Sequence, residues 1–166
     1  EEAFQHVVYL VRKQVGLIVL DSIGVLVPVK ESERDIDEMF ETRKIGAHAQ
    51  LVTSGVNMIL KEISGSCVIL INQLRTDIGV YGNPETSPGG RALQHDSWQI
   101  IRMSRAGWIE EGTGTKKKRK GFVMKIHVKK NKQGVPFVEA EAPFYFTGEI
   151  DETVSILDEA VSLGII

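Results

Sequence analysis

Hydrophobic and polar positions divide this chain into segments of two different periods. From residue 1 to 14, Phe4, Val7, Val8 and Val11 recur at helical spacing. Glu1 and Glu2 lead and Arg12 and Lys13 close the segment, charges that suit the two ends of a helix dipole. A helix that stops at Gly16 is expected. Leu17-Ile18-Val19-Leu20 is then apolar without alternation and ends in Asp21-Ser22, which reads as a buried strand. Helical spacing returns from about Gly46 to Ile63, with Val52, Val56, Ile59, Leu60 and Ile63 as a core-facing stripe. Val68 to Ile71 is a second continuous apolar run, rich in β-branched residues and entered through Ser64-Gly65-Ser66. It predicts a fully buried parallel strand, ending at the two amides Asn72 and Gln73.

A long loop follows from Thr76 to Gly90, carrying Gly79, Gly82, Gly89, Gly90, Pro84 and Pro88. Structureless loops of that length inside a compact domain are uncommon and usually functional. Beyond it the pattern predicts a short helix at Arg91 to His95 and a strand at Trp98 to Met103. Lys116-Lys117-Lys118-Arg119-Lys120, between Gly112 and Gly121, then reads as the tip of a β-hairpin. Strands are expected at Phe122 to Val128 and Ala142 to Thr147, and an amphipathic closing helix at Asp151 to Leu163, capped by Gly164. The expected class is α/β: a mostly parallel sheet flanked by helices, with an antiparallel hairpin extension, in one domain spanning 1–166.

Composition narrows the function. The chain has 166 residues, 42% hydrophobic and 25% charged, an ordinary composition for a chain able to bury a core. A net charge of −2 excludes a protein that coats nucleic acid by bulk charge, so any basic surface is local. The single cysteine, Cys67, excludes an intramolecular disulfide and fits a reducing, cytoplasmic setting. No apolar run approaches membrane-spanning length, so no membrane partner is expected. His6, His48, His95 and His127 show no metal-ligand spacing, and His48 and His127 read as packing or surface residues. The run from Lys30 to Lys44 is acidic, the usual signature of a solvated segment. In an open α/β sheet ligands bind beyond the carboxyl ends of the strands, where Asp21-Ser22 and Asn72-Gln73 both stand. A carboxylate there can hold a water on nucleotide-bound magnesium, as in a Walker B element; equally, Asp and Ser are common helix caps.

The decisive pattern is longer. Ile71-Asn72-Gln73-Leu74-Arg75, Ile78-Gly79-Val80, Gly82-Asn83-Pro84-Glu85-Thr86 and Gly89-Gly90, in that order, closely resemble the second DNA-binding loop of bacterial RecA-type recombinases. The resemblance extends to Val128-Lys129-Lys130-Asn131-Lys132, Pro136-Phe137 and Gly148-Glu149, and so covers nearly the whole chain. It implies a RecA-like P-loop NTPase core and an ATP- and Mg²⁺-dependent enzyme. Such an enzyme forms a helical filament on single-stranded DNA, pairs it with double-stranded DNA and exchanges strands in recombination and repair.

Carried over by position, the resemblance makes Asp21 the Walker B acid, reaching Mg²⁺ through water, with Ser22 its neighbour. Gln73 senses the γ-phosphate, and Lys130 and Lys132 reach the ATP of a neighbouring protomer. DNA contacts fall to Thr53, Asn57, Arg75, Ile78, Gly79, Asn83, Glu85, Thr86, Gly89, Gly90 and Arg91, with Ile78 as a wedge between base steps. The acidic run would occupy the first DNA-facing loop. The chain also departs from the family pattern. Gln50 and Asn57 stand where arginine is common, Arg91 where asparagine is common, and His95 where an aromatic residue commonly meets the next protomer. The loop is one residue short around Tyr81.

No Gly-x-x-x-x-Gly-Lys-Ser/Thr occurs, so the loop that cradles a triphosphate is absent from these residues. The expectation is therefore the C-terminal part of a RecA ATPase core, inactive alone and enzymatic when full length. Two other classes are open: a non-catalytic DNA-binding or filament-interacting module, and a related RecA-like helicase-type ATPase.

Overall fold

The computed structural model describes residues 1–27, 46–76, 85–86, 88–148, 156–157, 160–161 and 164. They form two compact units, 1–97 and 98–166. Of the sequence expectations, the acidic run, the middle of the long loop and most of the closing helix lie outside the described residues. Gly164, past that segment, adopts φ +67 and donates its N–H to Val161 O at 3.0 Å.

The first unit is built from α1 (Glu2–Arg12), β1 (Leu17–Leu20), a 3₁₀ turn (Ile23–Val25), α2 (Ala47–Glu62), β2 (Cys67–Leu70), the short pair β3 (Arg75–Thr76) and β4 (Glu85–Thr86), and α3 (Arg91–Asp96). Its core sets the predicted stripe of α1, Phe4, Val7, Val8 and Val11, against Leu51, Val52, Val56 and Ile59 of α2, closed by Ile18 and Ile23. Of the stripe expected on α2, Leu60 and Ile63 are exposed instead, and Leu51, nearer the start, is buried. The stop of α1 falls earlier than Gly16. Gln14 takes the left-handed conformation at φ 57, its N–H bonds Val11 O at 2.8 Å, and Val15 N–H bonds Leu10 O at 3.2 Å. That pairing is a Schellman cap, made here by a residue other than glycine.

β1 and β2 are parallel and in register, Leu17 beside Cys67 through Leu20 beside Leu70. The parallel pairing agrees with the sequence, but full burial does not hold. Only one face packs on the helices. Leu17, Val19 and Ile69 on the other are 59%, 51% and 45% exposed, because no described residue covers them.

The second unit is an antiparallel sheet in the order β5-β6-β7, formed by Gln99–Glu111, Lys118–Asn131 and Glu139–Tyr145. β5 is far longer than the predicted Trp98 to Met103. Pairing with β6 continues to Glu111 beside Lys118, so cross-strand hydrogen bonds carry the strand through the polar positions. The register shifts near Ile100, Arg105 and Ile109. Trp108, Phe122 and Phe144 stand side by side across the three strands, with Phe122 and Phe144 ring centroids 5.2 Å apart.

Candidate functional site

The register of β1 and β2 makes their carboxyl ends coincide. Ile71 N–H donates to Leu20 O at 3.0 Å, and Ile23 N–H donates back to Ile71 O at 2.9 Å. The exposed Asp21 carboxylate and the buried Ser22 therefore emerge beside Asn72 and Gln73, at the edge where open α/β sheets take ligands. The Asp21–Ser22 peptide is cis. Gln73 is exposed; its backbone N–H bonds the Asn72 side-chain oxygen at 3.0 Å. The Asn72 amide nitrogen donates to Pro88 O at 2.7 Å and so ties the strand end to the residue before Gly89.

That tie presents a second surface. Gly89 and Gly90 adopt φ +103 and +75, backbone that L side chains rarely take. A Cβ on Gly89 would lie 2.8 Å from Leu93 Cδ1, and one on Gly90 would lie 3.0 Å from Ala49 Cβ. Glycine is thus required both by conformation and by the close approach of this segment to α2. Between the two walls lies an open cavity of about 250 Å³, lined by Ala49, Gln50, Thr53, Ser54, Gly90 and Arg91. Among the described residues its lining carries hydroxyls, an amide and the single cation Arg91, with no carboxylate. This is a donor set suited to an anion. Thr53 Oγ1 donates to Ala49 O at 2.7 Å, so its one hydroxyl proton is committed within α2 and must turn from that carbonyl before it can meet an anion.

A family model described as the RecA N-terminal domain matches residues 1–151. The chain belongs to the RecA family. The RecA protein of Aquifex pyrophilus is 37% identical over 155 residues, which cover 92% of this chain and 42% of the relative. That of Thermus aquaticus is 36% identical over 171 residues, 100% of this chain and 48% of the relative. RecA 1 of Myxococcus xanthus is 35% identical over 170 residues, 100% and 47% of the two lengths. The chain spans less than half the length of these curated relatives.

Two groups of the candidate residues of this RecA-family chain come together. Asp21, Ser22 and Gln73 meet at the strand ends, while Thr53, Gly90 and Arg91 line the cavity, with Gly89 next to it in the chain. Asn57 is exposed one helical turn beyond Thr53 and is not part of the lining. Arg75 is exposed on β3, where it stands beside Thr86, and Glu85 stands beside Thr76. Ile78, Gly79 and Asn83 lie outside the described residues. Lys130 and Lys132 belong to the second unit: Lys130 stands beside Ile100 in β6, and Lys132 follows the strand, its N–H donating to Trp98 O at 2.9 Å.

The basic run does form a hairpin tip, but much of its charge is matched. Lys117 and Arg119 approach Glu110 at 3.3 and 3.6 Å, and Lys120 approaches Glu111 at 2.5 Å. Arg105 and Arg119 lie over the Trp108 ring, 3.9 and 4.4 Å from its centroid. His48 is a half-buried packing residue, as the sequence suggests, but with a specific partner. Its Nε2 lies 2.9 Å from Ile23 O, a contact no spacing pattern announces because it spans 25 residues.

Proposed function

We propose that this chain is the C-terminal part of the ATPase and DNA-binding core of a recombinase, its phosphate loop supplied by other residues of the whole protein. The whole protein would form filaments on single-stranded DNA and promote pairing and strand exchange with a duplex, in a cytoplasmic setting. One observation carries the reading. Two parallel strands end together on Asp21-Ser22 and Asn72-Gln73, and Asn72 hydrogen-bonds to the segment that forms one wall of an anion-suited cavity.

The residues present fit part of a nucleotide site. Asp21 is an exposed carboxylate at a strand end, able to hold a magnesium-bound water, and Gln73 offers an amide donor beside it. Magnesium-bound ATP, when present, supplies the free energy of phosphoryl transfer. Gln73 is a neutral donor whose partner would be a terminal phosphate, so its orientation would differ between nucleotide states. Asn72 links that strand end to Pro88 and thereby to Gly89 and Gly90. Gly90 and Arg91, with Gln50 and Ser54, would hold a DNA phosphate through a backbone N–H, one guanidinium, an amide and a hydroxyl, and Thr53 would join them by turning its hydroxyl from Ala49 O. Such contacts position a strand without reading its bases. Lys130 and Lys132 would contribute charge to the nucleotide of a neighbouring protomer, as an arginine finger supplied in trans does.

The test uses the intact protein. DNA-stimulated phosphate release from ATP and nucleotide-dependent affinity for single-stranded DNA should both be present. Gln73→Ala should retain nucleotide binding and lose the dependence of DNA affinity on nucleotide. An intact protein with no DNA-stimulated turnover refutes the recombinase reading. A Gln73→Ala protein still tightened by ATP removes Gln73 from the switch.

A further inference from the structure

The anion-suited cavity has two walls, and each is tied to the strand ends by one side chain. Gly90 and Arg91 form the first wall; it is fixed by the Asn72 amide donating to Pro88 O. The second is the first turns of α2, with Ala49, Gln50, Thr53 and Ser54. This helix begins at Ala47 after Gly46, with no side chain capping its N-terminus. Leu51 and Val52 pack its first turns into the core, and half-buried His48 adds a polar tie at its start, with Nε2 2.9 Å from Ile23 O.

Ile23 is fully buried and stands two residues after Asp21, and its own N–H is committed to Ile71 O. Its carbonyl is an acceptor only, so the bond requires that His48 Nε2 carry the proton. The 3₁₀ turn after Asp21 therefore connects to β2 through Ile23 N–H and to α2 through Ile23 O. Both walls lead back to the same turn.

Resting on the proposed reading of the cavity as a DNA-phosphate site, we propose that His48 is a positioning residue. It would hold the α2 wall at the spacing set by the Asp21 strand end, so that the cavity opens or tightens with that end. The ring touches no ligand in this scheme; it acts through Gln50, Thr53 and Ser54. A side chain that only fills space would be replaced by any ring of similar size, whereas a tether depends on the donor.

That difference is the experiment. His48→Phe keeps an aromatic ring and removes the donor; His48→Gln keeps an N–H donor of similar reach and removes the ring. Amide exchange of this chain should quicken roughly three- to tenfold at residues 50–54 and 89–91 in His48→Phe, and stay near parental values in His48→Gln. Exchange at the far end of α2, residues 59–62, should be unchanged in both. Affinity of the intact protein, with nucleotide present, for a dT oligonucleotide should fall several-fold in His48→Phe and recover in His48→Gln. His48→Phe exchanging like the parent, or His48→Gln exchanging like His48→Phe, overturns the tether. Exchange that responds as expected while the parent shows no dT binding instead refutes the DNA reading beneath the proposal. Loss of dT binding in neither variant, with the parent binding, overturns the positioning role.

Discussion

Gly55 is where the packing of the first unit makes the most exposed claim. It lies inside α2 and is buried against α1. At an ordinary helix-interior site, replacing glycine by alanine gains about 0.8–1.0 kcal/mol, because the unfolded chain loses freedom and the helix does not. Here a Cβ would overlap Cγ, Cδ1 and Cδ2 of the Phe4 ring. Phe4 is 1% exposed and packed in the core, so the ring cannot swing into solvent. Overpacking of this kind costs about 1–3 kcal/mol. The two effects oppose, and the overlap with three ring carbons decides for the second. Gly55→Ala should therefore lose about 1 kcal/mol, lowering Tm by about 2–4 °C in a chain of this size. Urea unfolding followed by circular dichroism measures it, provided the slope m is unchanged between variants. The same substitution in a Phe4→Leu background should become neutral or favourable, since the smaller side chain vacates the space. A Gly55→Ala protein more stable than the parent, or an effect identical in both backgrounds, would refute the α1–α2 contact as the reason glycine is there.

Arg91→Gln should weaken dT binding and lower the slope of log affinity against log salt by about 0.7, the share of one phosphate contact on a single strand. A slope unchanged in a titration of the two proteins would remove Arg91 from the phosphate contacts. In the intact protein, Lys130→Ala and Lys132→Ala should abolish DNA-stimulated hydrolysis. Turnover should return on mixing with a partner that keeps both lysines but lacks its phosphate-loop lysine, and co-filaments that stay inactive would exclude action in trans. In the second unit, the hydrogen bond from Lys125 at 2.8 Å holds the Glu139 carboxyl below its ordinary value; partial desolvation opposes this, and the charges of Lys125 and His127 add to it. A carboxyl lowered on folding stabilises fully above its unfolded value and loses that contribution as pH falls through the folded one. Glu139→Gln should flatten the acid limb of a stability-against-pH curve below about pH 4.5, and only weakly at high salt. An acid limb unchanged in the variant would deny the pair any role.

Local signals carried the elements well where one residue type decides the backbone. The stripe at Phe4, Val7, Val8 and Val11 is observed core, and so are Val52, Val56 and Ile59 of the second stripe, whereas its last members Leu60 and Ile63 are exposed. The strand ends at Asp21 and Asn72 were equally legible, because continuous apolar runs stopped by polar residues leave little choice of boundary. Burial of the strands was not legible. An apolar run states what both faces tolerate, and only packing states which is covered; Leu17, Val19 and Ile69 are exposed among the described residues. The length of β5 was hidden for a related reason, since its polar residues are held by pairing to β6 and not by periodicity. Within the candidate site, Gly89, Gly90 and Arg91 came from the family resemblance, and Gly90 and Arg91 are found in the cavity lining. The contacts of His48 with Ile23 and of Asn72 with Pro88 were not, because each is made between a side chain and a backbone carbonyl far away in sequence.

Charge shows the same division between what a sequence announces and what a fold allows. The densest basic run is Lys116 to Lys120, yet Glu110 and Glu111 on the opposing strand lie against three of its cations. These pairs are exposed, so they add little stability. Their effect is on the field: carboxylates within about 4 Å cancel much of the potential a phosphate would meet beyond a Debye length of about 8–10 Å. Arg91 is a lone cation in the chain sequence, but among the described residues the cavity it borders has no carboxylate in its lining. One guanidinium beside hydroxyls and a glycine N–H presents an anion with a directed set of donors, which the hairpin tip, shared between both signs, does not. A chain of net charge −2 can thus hold a phosphate backbone only where acids are kept away. In the described residues that condition favours the cavity beside Gly90 over the lysine-rich tip.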